Sequence, residues 1–172
     1  QKLSMFRAAP VNKGAIIFLG NSITEGGNWD ELFPGKNILN RGIGGEITEG
    51  VLKRLDKVTR HQPSKLFICI GTNDIARGVA HATTMQNYRA ILQQVQTNSP
   101  ETKIYVQSIL PVGKDVILGH NNEKIIPINN ELKELCRNMQ LTYIDLYPHF
   151  TDEAGYLKAA YTNDKLHLLG SG

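Results

Sequence analysis

The sequence has few cysteines, no long apolar run and no concentration of basic residues. Its two cysteines, Cys69 and Cys136, lie in an apolar run and on the apolar side of a helical pattern. We interpret them as small buried hydrophobic residues, because two cysteines so far apart do not make a disulfide framework. No apolar run approaches the roughly 20 residues of a membrane span. The lysines and arginines are scattered, whereas a nucleic-acid-binding surface would need a basic stripe.

What remains is an ordinary globular composition. Of the 172 residues, 41% are hydrophobic and 20% are charged, and the formal net charge is +3. This length suits one domain with a sizeable core. We find no repeat and no linker, so the sequence predicts a single domain over residues 1–172. No cluster of side chains has metal-ligand spacing, and no cofactor is expected.

Five apolar segments predict the strands of a parallel sheet. Each is a continuous run rather than an alternating one, which favours strands that are buried on both faces. The segments are residues 16–19, 37–40, 65–70, 103–110 and 141–146.

Amphipathic helices are predicted between these segments, since three apolar stripes recur at helical spacing. The stripes are Ile47, Val51, Leu55 and Val58; Met85, Tyr88, Leu92 and Val95; and Ile128, Leu132, Leu135 and Met139. Strands that alternate with helices indicate an α/β fold with a doubly wound sheet. Ligands of such sheets bind beyond the carboxyl ends of the strands.

The first apolar segment ends in a turn that presents a serine. Gly20 breaks the run, Ser22 follows two residues later, and the chain then becomes polar. A serine hydroxyl is a poor nucleophile unless a base removes its proton and hydrogen-bond donors hold the developing oxyanion. The rest of the chain offers candidates for both tasks.

Two loops carry candidate oxyanion donors. Gly45 lies in a glycine-rich segment before a predicted helix, where its backbone N–H could face the site, although a plain tight turn explains the glycines equally well. Asn73 follows the third strand, and its amide could donate a hydrogen bond, although an asparagine here, taken alone, is more often a helix cap or a turn residue. We interpret the neighbouring Asp74 as structural.

Asp164 and His167 are the candidate acid and base. Their i, i+3 spacing places a carboxylate and an imidazole on one side of a single turn, so the acid can orient the ring. Asp145 is a rival acid. The remaining histidines lack an acid at this spacing and are interpreted as surface or packing residues; they are His61, His81, His120 and His149.

Four blocks of the chain resemble the SGNH/GDSL hydrolases. They are the segment around Ser22, the segment around Gly45, the Gly-Thr-Asn-Asp run that contains Asn73, and the Asp164-x-x-His167 pair. The blocks occur in the right order and span nearly the whole chain. The chain is most similar to small single-domain acylesterases of that family, including those similar to platelet-activating-factor acetylhydrolase subunits and sialate O-acetylesterases.

The resemblance implies a fold and a set of roles. The fold is a three-layer, flavodoxin-like α/β/α arrangement with a five-stranded parallel sheet in the order 2-1-3-4-5. Ser22 is implied as nucleophile, His167 as general base and acid, and Asp164 as its orienting partner. The implied oxyanion donors are the backbone N–H groups of Ser22 and Gly45 and the amide of Asn73. Gly45 is chosen over Gly44 because the family's glycine directly precedes an acidic residue, which is Glu46 here.

Two features depart from the family's pattern. Asn21 stands where the commoner motif has aspartate, and the chain ends at Gly172 before the family's usual final helix. We expect that helix to be absent and one face of the sheet to be less covered.

The expected activity is hydrolysis of a small-acyl ester, acetyl foremost, on a carbohydrate through an acyl-enzyme on Ser22. The connections look short, without a large lid, so a shallow and open site is expected. Trp29 either stacks on a sugar or packs against the sheet edge. The alternatives are a lysophospholipase or thioesterase, with an apolar groove from the loops after Gly78 and Val112, a flavodoxin-like phosphate-binding module, and a catalytically inactive binding protein.

The expected partner is a small-molecule or glycan ester. The oligomeric state is left open, with a homodimer among the options. The sequence begins at Gln1 without a methionine, which slightly favours a processed periplasmic or secreted protein, while unpaired cysteines also tolerate a reducing cytoplasm.

Overall fold

The computed structural model describes residues 1–116 and 119–172. Its centre is a five-stranded sheet in the order β2-β1-β3-β4-β5, and every neighbouring pair is parallel. The strands are β1 (Ile16–Gly20), β2 (Ile38–Gly42), β3 (Lys65–Cys69), β4 (Lys103–Gln107) and β5 (Thr142–Ile144). This confirms the expected fold and strand order.

The predicted strand positions are right, but several bounds differ. Apolar residues continue past the last paired residue of β3 and β4, because Ile70, Ile109 and Leu110 stay buried in the loops that follow. An apolar run therefore indicates which residues are buried, not which residues pair with a neighbouring strand. Strands β3 and β4 end earlier in the sequence than their apolar runs do.

The helices flank the sheet and alternate with the strands. They are α1 (Lys2–Ala8), α2 (Ser22–Glu25), α3 (Trp29–Leu32), α4 (Thr48–Lys53), α5 (Asp56–Thr59), α6 (Thr72–Ala76), α7 (His81–Asn98), α8 (Asn122–Asn138) and α9 (Tyr147–Phe150), with a short 3₁₀ turn at Ala159–Tyr161. The stripes predicted for α7 and α8 are confirmed, since their residues within these helices are buried. The stripe predicted for residues 47–58 is divided between α4 and α5, with an interruption at Arg54 and Leu55.

The two faces of the sheet are covered unequally. On one face, Ile17, Leu19 and Ile68 are fully buried under α4, α5, α7 and α8. On the other face, Phe67 and Tyr105 alternate with these residues and are only partly buried. The prediction that every strand is buried on both faces is therefore wrong for β3 and β4.

A row of aromatic rings crosses the less covered face. Phe18 stacks on Phe67 with ring centroids 4.9 Å apart, and Phe67 stacks on Tyr105 at 4.7 Å. Trp29 stacks on the outer side of Phe18 at 3.9 Å, and its indole N–H donates to the Thr24 carbonyl. Of the two interpretations of Trp29, the structure shows packing against the sheet.

Candidate active site

The turn after β1 positions Ser22. A Cβ atom at Gly20 would lie 2.2 Å from Thr24 Oγ1 and 2.3 Å from the Cys69 carbonyl oxygen, so only glycine fits where the chain bends. Asn21 is buried, and its side-chain oxygen accepts a hydrogen bond from the Ile23 N–H at 3.0 Å. Asn21 thus caps α2, which needs only an amide oxygen and explains why the position tolerates asparagine in place of aspartate.

Ser22, His167 and Asp164 form a continuous chain of hydrogen bonds. His167 Nε2 lies 2.8 Å from Ser22 Oγ, and His167 Nδ1 lies 2.6 Å from Asp164 Oδ2. The serine and the histidine are 145 residues apart in sequence, so the fold brings them together.

Asp164 is held in its charged form by the groups around it. Its Oδ1 accepts hydrogen bonds from the His167 N–H at 2.7 Å and the Leu166 N–H at 3.0 Å. The side-chain hydrogen bond with His167 is the main reason that the pKa of Asp164 lies below its ordinary value. A carboxylate on Nδ1 keeps the proton on that nitrogen, which leaves Nε2 free to accept the serine proton.

The glycine-rich loop after β2 lies beside the serine. A Cβ atom at Gly44 would lie 3.9 Å from Ser22 Cβ. The Gly44 N–H already donates to Glu25 Oε2 at 2.6 Å, and among the described residues the N–H groups of Ser22 and Gly45 donate to no protein acceptor. Gly45 adopts a φ of +71°, which favours glycine. These contacts favour Gly45 over Gly44 as a donor to a ligand.

Two arginines that the sequence did not single out help to hold this loop in place. Arg54 is buried and makes a bidentate ion pair with Glu46, and Arg77 donates to the Gly45 carbonyl at 2.6 Å. Asn73 donates one amide hydrogen to the Glu46 carbonyl at 3.0 Å. An amide has a second hydrogen, which remains available to a ligand. Asn73 is not a helix cap, because Gly71 holds that position in α6.

Asp74 joins α6 to α4. Its carboxylate accepts hydrogen bonds from the Thr48 N–H at 3.0 Å and from the Thr48 hydroxyl, at the first residue of α4. Burial raises the pKa of this carboxyl group. Its contacts are those expected of a structural residue, and they place α4, and so the glycine loop, relative to Asn73.

Among the described residues, Ser22 Oγ hydrogen-bonds to His167 and to none of the remaining candidates. His61 and His120 are buried, while His81 and His149 are exposed. His81 Nε2 lies 2.6 Å from Glu131 Oε2, an acid that no local spacing could have indicated. The rival acid Asp145 is exposed and makes no hydrogen bond or ion pair with a histidine in the described ranges.

The two cysteines are free, and Cys136 is fully buried while Cys69 is partly buried. Across residues 1–116 and 119–172, no three His, Cys, Asp or Glu side chains are grouped so as to hold a metal ion. In the same residues, no helix is both long enough and apolar enough to span a membrane.

Sequence and fold are both similar to those of known acylhydrolases. The model of the GDSL-like Lipase/Acylhydrolase family matches residues 18–172. Platelet-activating factor acetylhydrolase IB subunit alpha2 of Homo sapiens is 30% identical over 168 residues, which cover 91% of this chain and 70% of that protein.

Two solved structures share the fold closely. A candidate platelet activating factor from Streptococcus pneumonia superposes with a TM-score of 0.88 at 36% identity, covering 99% of this chain and 83% of the other. A candidate acylhydrolase from Bacteroides fragilis superposes with a TM-score of 0.85 at 25% identity, covering 99% and 88%.

Proposed function

This chain belongs to the GDSL-like lipase/acylhydrolase family, and we propose that it is a serine esterase that removes small acyl groups, acetyl foremost, from a carbohydrate alcohol. The observation that carries the proposal is the hydrogen-bond chain from Ser22 through His167 to Asp164, at 2.8 Å and 2.6 Å. A histidine poised between a hydroxyl and a carboxylate is the arrangement that activates a serine nucleophile.

The proposed first half-reaction forms an acyl-enzyme. His167 Nε2 takes the Ser22 proton as Oγ bonds to the ester carbonyl carbon. The tetrahedral intermediate then collapses, the bond from this carbon to the alcohol oxygen breaks, and His167 gives its proton to the departing alcohol. Asp164, whose pKa is lowered by its hydrogen bond with His167, stays ionised and stabilises the imidazolium in between.

Three donors are proposed to hold the oxyanion: the N–H groups of Ser22 and Gly45 and the second amide hydrogen of Asn73. The first two donate to no acceptor in the described residues, and the loop that carries Gly45 is fixed by ion pairs and hydrogen bonds. Donors that are already oriented cost little reorganisation when the charge develops.

The proposed second half-reaction repeats these steps with water. His167 takes a proton from a water molecule as the water oxygen bonds to the acyl carbon. The bond to Ser22 Oγ breaks, the proton returns to the serine, and the carboxylic acid is released. No other reactant is required.

The exposure of the triad and the name of a relative both support a small acyl group on a bulky alcohol. The side chains of His167 and Asp164 are 44% and 47% exposed, which leaves room for a bulky alcohol above the triad. The human relative is named an acetylhydrolase, which makes acetyl the first acyl group to examine.

A second candidate is hydrolysis of longer acyl esters, as by a lysophospholipase or thioesterase. It is favoured by one observation: Val112, Val116 and Ile126 line a cavity of about 530 Å³ that could hold an acyl chain. A phosphate-binding module is poorly supported, because α2 has only four residues and Asn21 already accepts the Ile23 N–H.

The test is hydrolysis of p-nitrophenyl acetate, butyrate and octanoate by the wild type, Ser22→Ala and a control, Ser64→Ala. Ser64 is exposed, and its hydroxyl donates to the Gly14 carbonyl. Gly14 and Ser64 precede strands β1 and β3, respectively, whereas Ser22 follows the opposite end of β1. We expect acetate to be the best substrate, Ser22→Ala to fall to background and Ser64→Ala to match the wild type. A preference for octanoate would favour the second candidate, and equal rates for wild type and Ser22→Ala would refute the nucleophile.

A further inference from the structure

A cavity of about 530 Å³ lies at the carboxyl ends of β4 and β5. Its described walls come from the connection between β4 and α8, the first turns of α8, and residues 147–156. The volume is within the roughly 300–1,000 Å³ of small-molecule sites. The expectation of short connections is wrong for the segment between β4 and α8, which runs from residue 108 to residue 121.

The cavity adjoins the segment that carries the proposed base. Gly113 lines it, and the Gly113 N–H donates to the Lys165 carbonyl at 2.8 Å. A Cβ atom at Gly113 would lie 2.7 Å from Lys165 Cβ, so the two segments touch. Lys165 is two residues before His167.

The cavity also adjoins the segment that carries the proposed amide donor. His120 lines the cavity, and its Nδ1 lies 3.1 Å from Thr72 Oγ1. Thr72 directly precedes Asn73. A group bound in the cavity would thus contact residues that touch both the base segment and the segment of the amide donor. The departing half of an ester leaves toward the protonated base.

We propose that this cavity, here called the alcohol subsite, binds an uncharged hydroxylated group, such as a neutral sugar, on the leaving-alcohol side of the ester. The inference rests on the proposed esterase function and narrows its substrate. On this proposal, the subsite does not bind alcohols that carry a carboxylate or a phosphate.

The charges of the alcohol subsite carry this assignment. Asp115 and Glu123 line it, and no lysine or arginine is among its described lining residues. Both acids are exposed to solvent, so each can accept hydrogen bonds from sugar hydroxyls without a buried-charge penalty. The same carboxylates repel an anionic ligand. Lys114 and Lys165 border the subsite but do not line it.

The uncharged part of the lining suits a sugar as well. Tyr147, Tyr156 and Ile126 supply apolar surface against which the C–H face of a sugar ring can pack. Burial lowers the pKa of His120, so at neutral pH its ring is an uncharged hydrogen-bond partner rather than a cation. An acyl chain would gain from the apolar surface but would make no hydrogen bond to either carboxylate.

The test compares a neutral with an anionic sugar ester of the same acyl group. The substrates are monoacetylated methyl xyloside and monoacetylated methyl glucuronide, with p-nitrophenyl acetate to monitor the chemistry. The proteins are the wild type, the double variant Asp115→Asn with Glu123→Gln, and a control, Glu134→Gln, which removes an exposed charge elsewhere on α8. Asp115 has a φ of 57°, a conformation that asparagine tolerates, so the turn is preserved.

We expect the wild type to favour the neutral ester in kcat/KM by about tenfold or more, because two carboxylates oppose the anion. The double variant should narrow this preference about fivefold, mainly by lowering KM for the anionic ester, and Glu134→Gln should preserve it. The assignment would be overturned if all three proteins had the same kcat/KM ratio for the two esters, or if the wild type preferred the anionic ester. Either result would leave the proposed esterase activity unaffected.

A binding measurement keeps the two proposals separable. Methyl xyloside and methyl glucuronide are titrated into the same proteins and followed by saturation-transfer NMR. Selective binding of the xyloside, weakened in selectivity by the double variant, supports the alcohol subsite even if no ester is hydrolysed. Hydrolysis of p-nitrophenyl acetate without any such selectivity contradicts the subsite alone.

Discussion

Two histidine–carboxylate pairs on this protein have the same separation but different surroundings. His167 and Asp164 approach to 2.6 Å, and so do His81 and Glu131. The four side chains are also exposed to a similar extent, at 44% and 47% for the first pair and 42% and 53% for the second. Distance and exposure alone would not tell them apart.

The difference lies in what the other ring nitrogen of the histidine meets. His167 uses Nδ1 for the acid and presents Nε2 to Ser22, at the carboxyl edge of the sheet. His81 uses Nε2 for its acid and joins the start of α7 to α8. A histidine–acid pair is therefore a surface contact by default, and it becomes a candidate site only beside a nucleophile and free donors.

The most severe test replaces each histidine by glutamine. His167→Gln should lower kcat by about three to five orders of magnitude, because no base remains for Ser22. His81→Gln should stay within about twofold of the wild type and cost at most about 1 kcal/mol of stability, as an exposed pair does. Steady-state hydrolysis of p-nitrophenyl acetate gives both numbers, and equal losses in the two variants would remove the distinction between the pairs.

Replacing the two acids, Asp164 and Glu131, should likewise affect kcat only for the first pair. Asp164→Asn should reduce kcat by about two to three orders of magnitude, since the amide no longer holds the tautomer or stabilises the imidazolium; partial exposure moderates the loss. Glu131→Gln is the matched control and should leave kcat unchanged. A loss below about tenfold for Asp164→Asn would indicate that the ring is oriented by other contacts.

The candidate oxyanion donors lie on the side of the first pair and give a further comparison. Asn73→Ala should lower kcat about 100- to 1,000-fold with a small change in KM. The control, Asn87→Ala, removes an amide that donates to Thr48 Oγ1 at 3.0 Å, at the start of α4. It should lower the free energy of unfolding by about 1 kcal/mol but leave kcat nearly unchanged. Similar kinetics of the two variants would argue against the role of Asn73.

A third histidine gives the smallest effect and concerns stability. His120 faces a hydroxyl rather than a carboxylate, and burial is the main cause of its lowered pKa, with a smaller contribution from the charge of His167. The unfolded chain therefore takes up the proton more readily, and stability falls as the pH drops below the ordinary histidine pKa of about 6.5.

His120→Gln should lose less stability than the wild type between about pH 7 and about pH 5. Urea unfolding at several pH values measures this difference. His81→Gln is again the control, and a parallel decline of wild type and His120→Gln would contradict the assigned environment.

Local patterns predicted a large part of this structure. The apolar runs located all five strands, and helical spacing located α7 and α8, because periodic burial is written directly into neighbouring residues. Helical spacing did not predict the helix bounds where tertiary contacts interrupt a helix. Arg54 lies at the interruption between α4 and α5, and its side chain reaches Glu46 and the Arg41 carbonyl. No local periodicity predicts that contact.

The site shows the same division. Asp164 and His167 could be paired from sequence because they share one turn. Glu25, which occupies the Gly44 N–H, and Arg77, which holds the Gly45 carbonyl, gave no signal, because their partners are 19 and 32 residues away. The Glu25 contact distinguishes Gly44 from Gly45, a choice that otherwise rested on family resemblance.

By itself, the sequence determined the class of fold, the order of its elements and the pairing of Asp164 with His167, since these depend on residues within a few positions of one another. Tertiary structure alone decided that His167 meets Ser22 across 145 residues, and that His81 meets Glu131 on another helix. It also left the aromatic face of β3 and β4 partly open. Such contacts depend on how parallel strands and their connections pack in space, and a pattern along the chain carries no record of that packing.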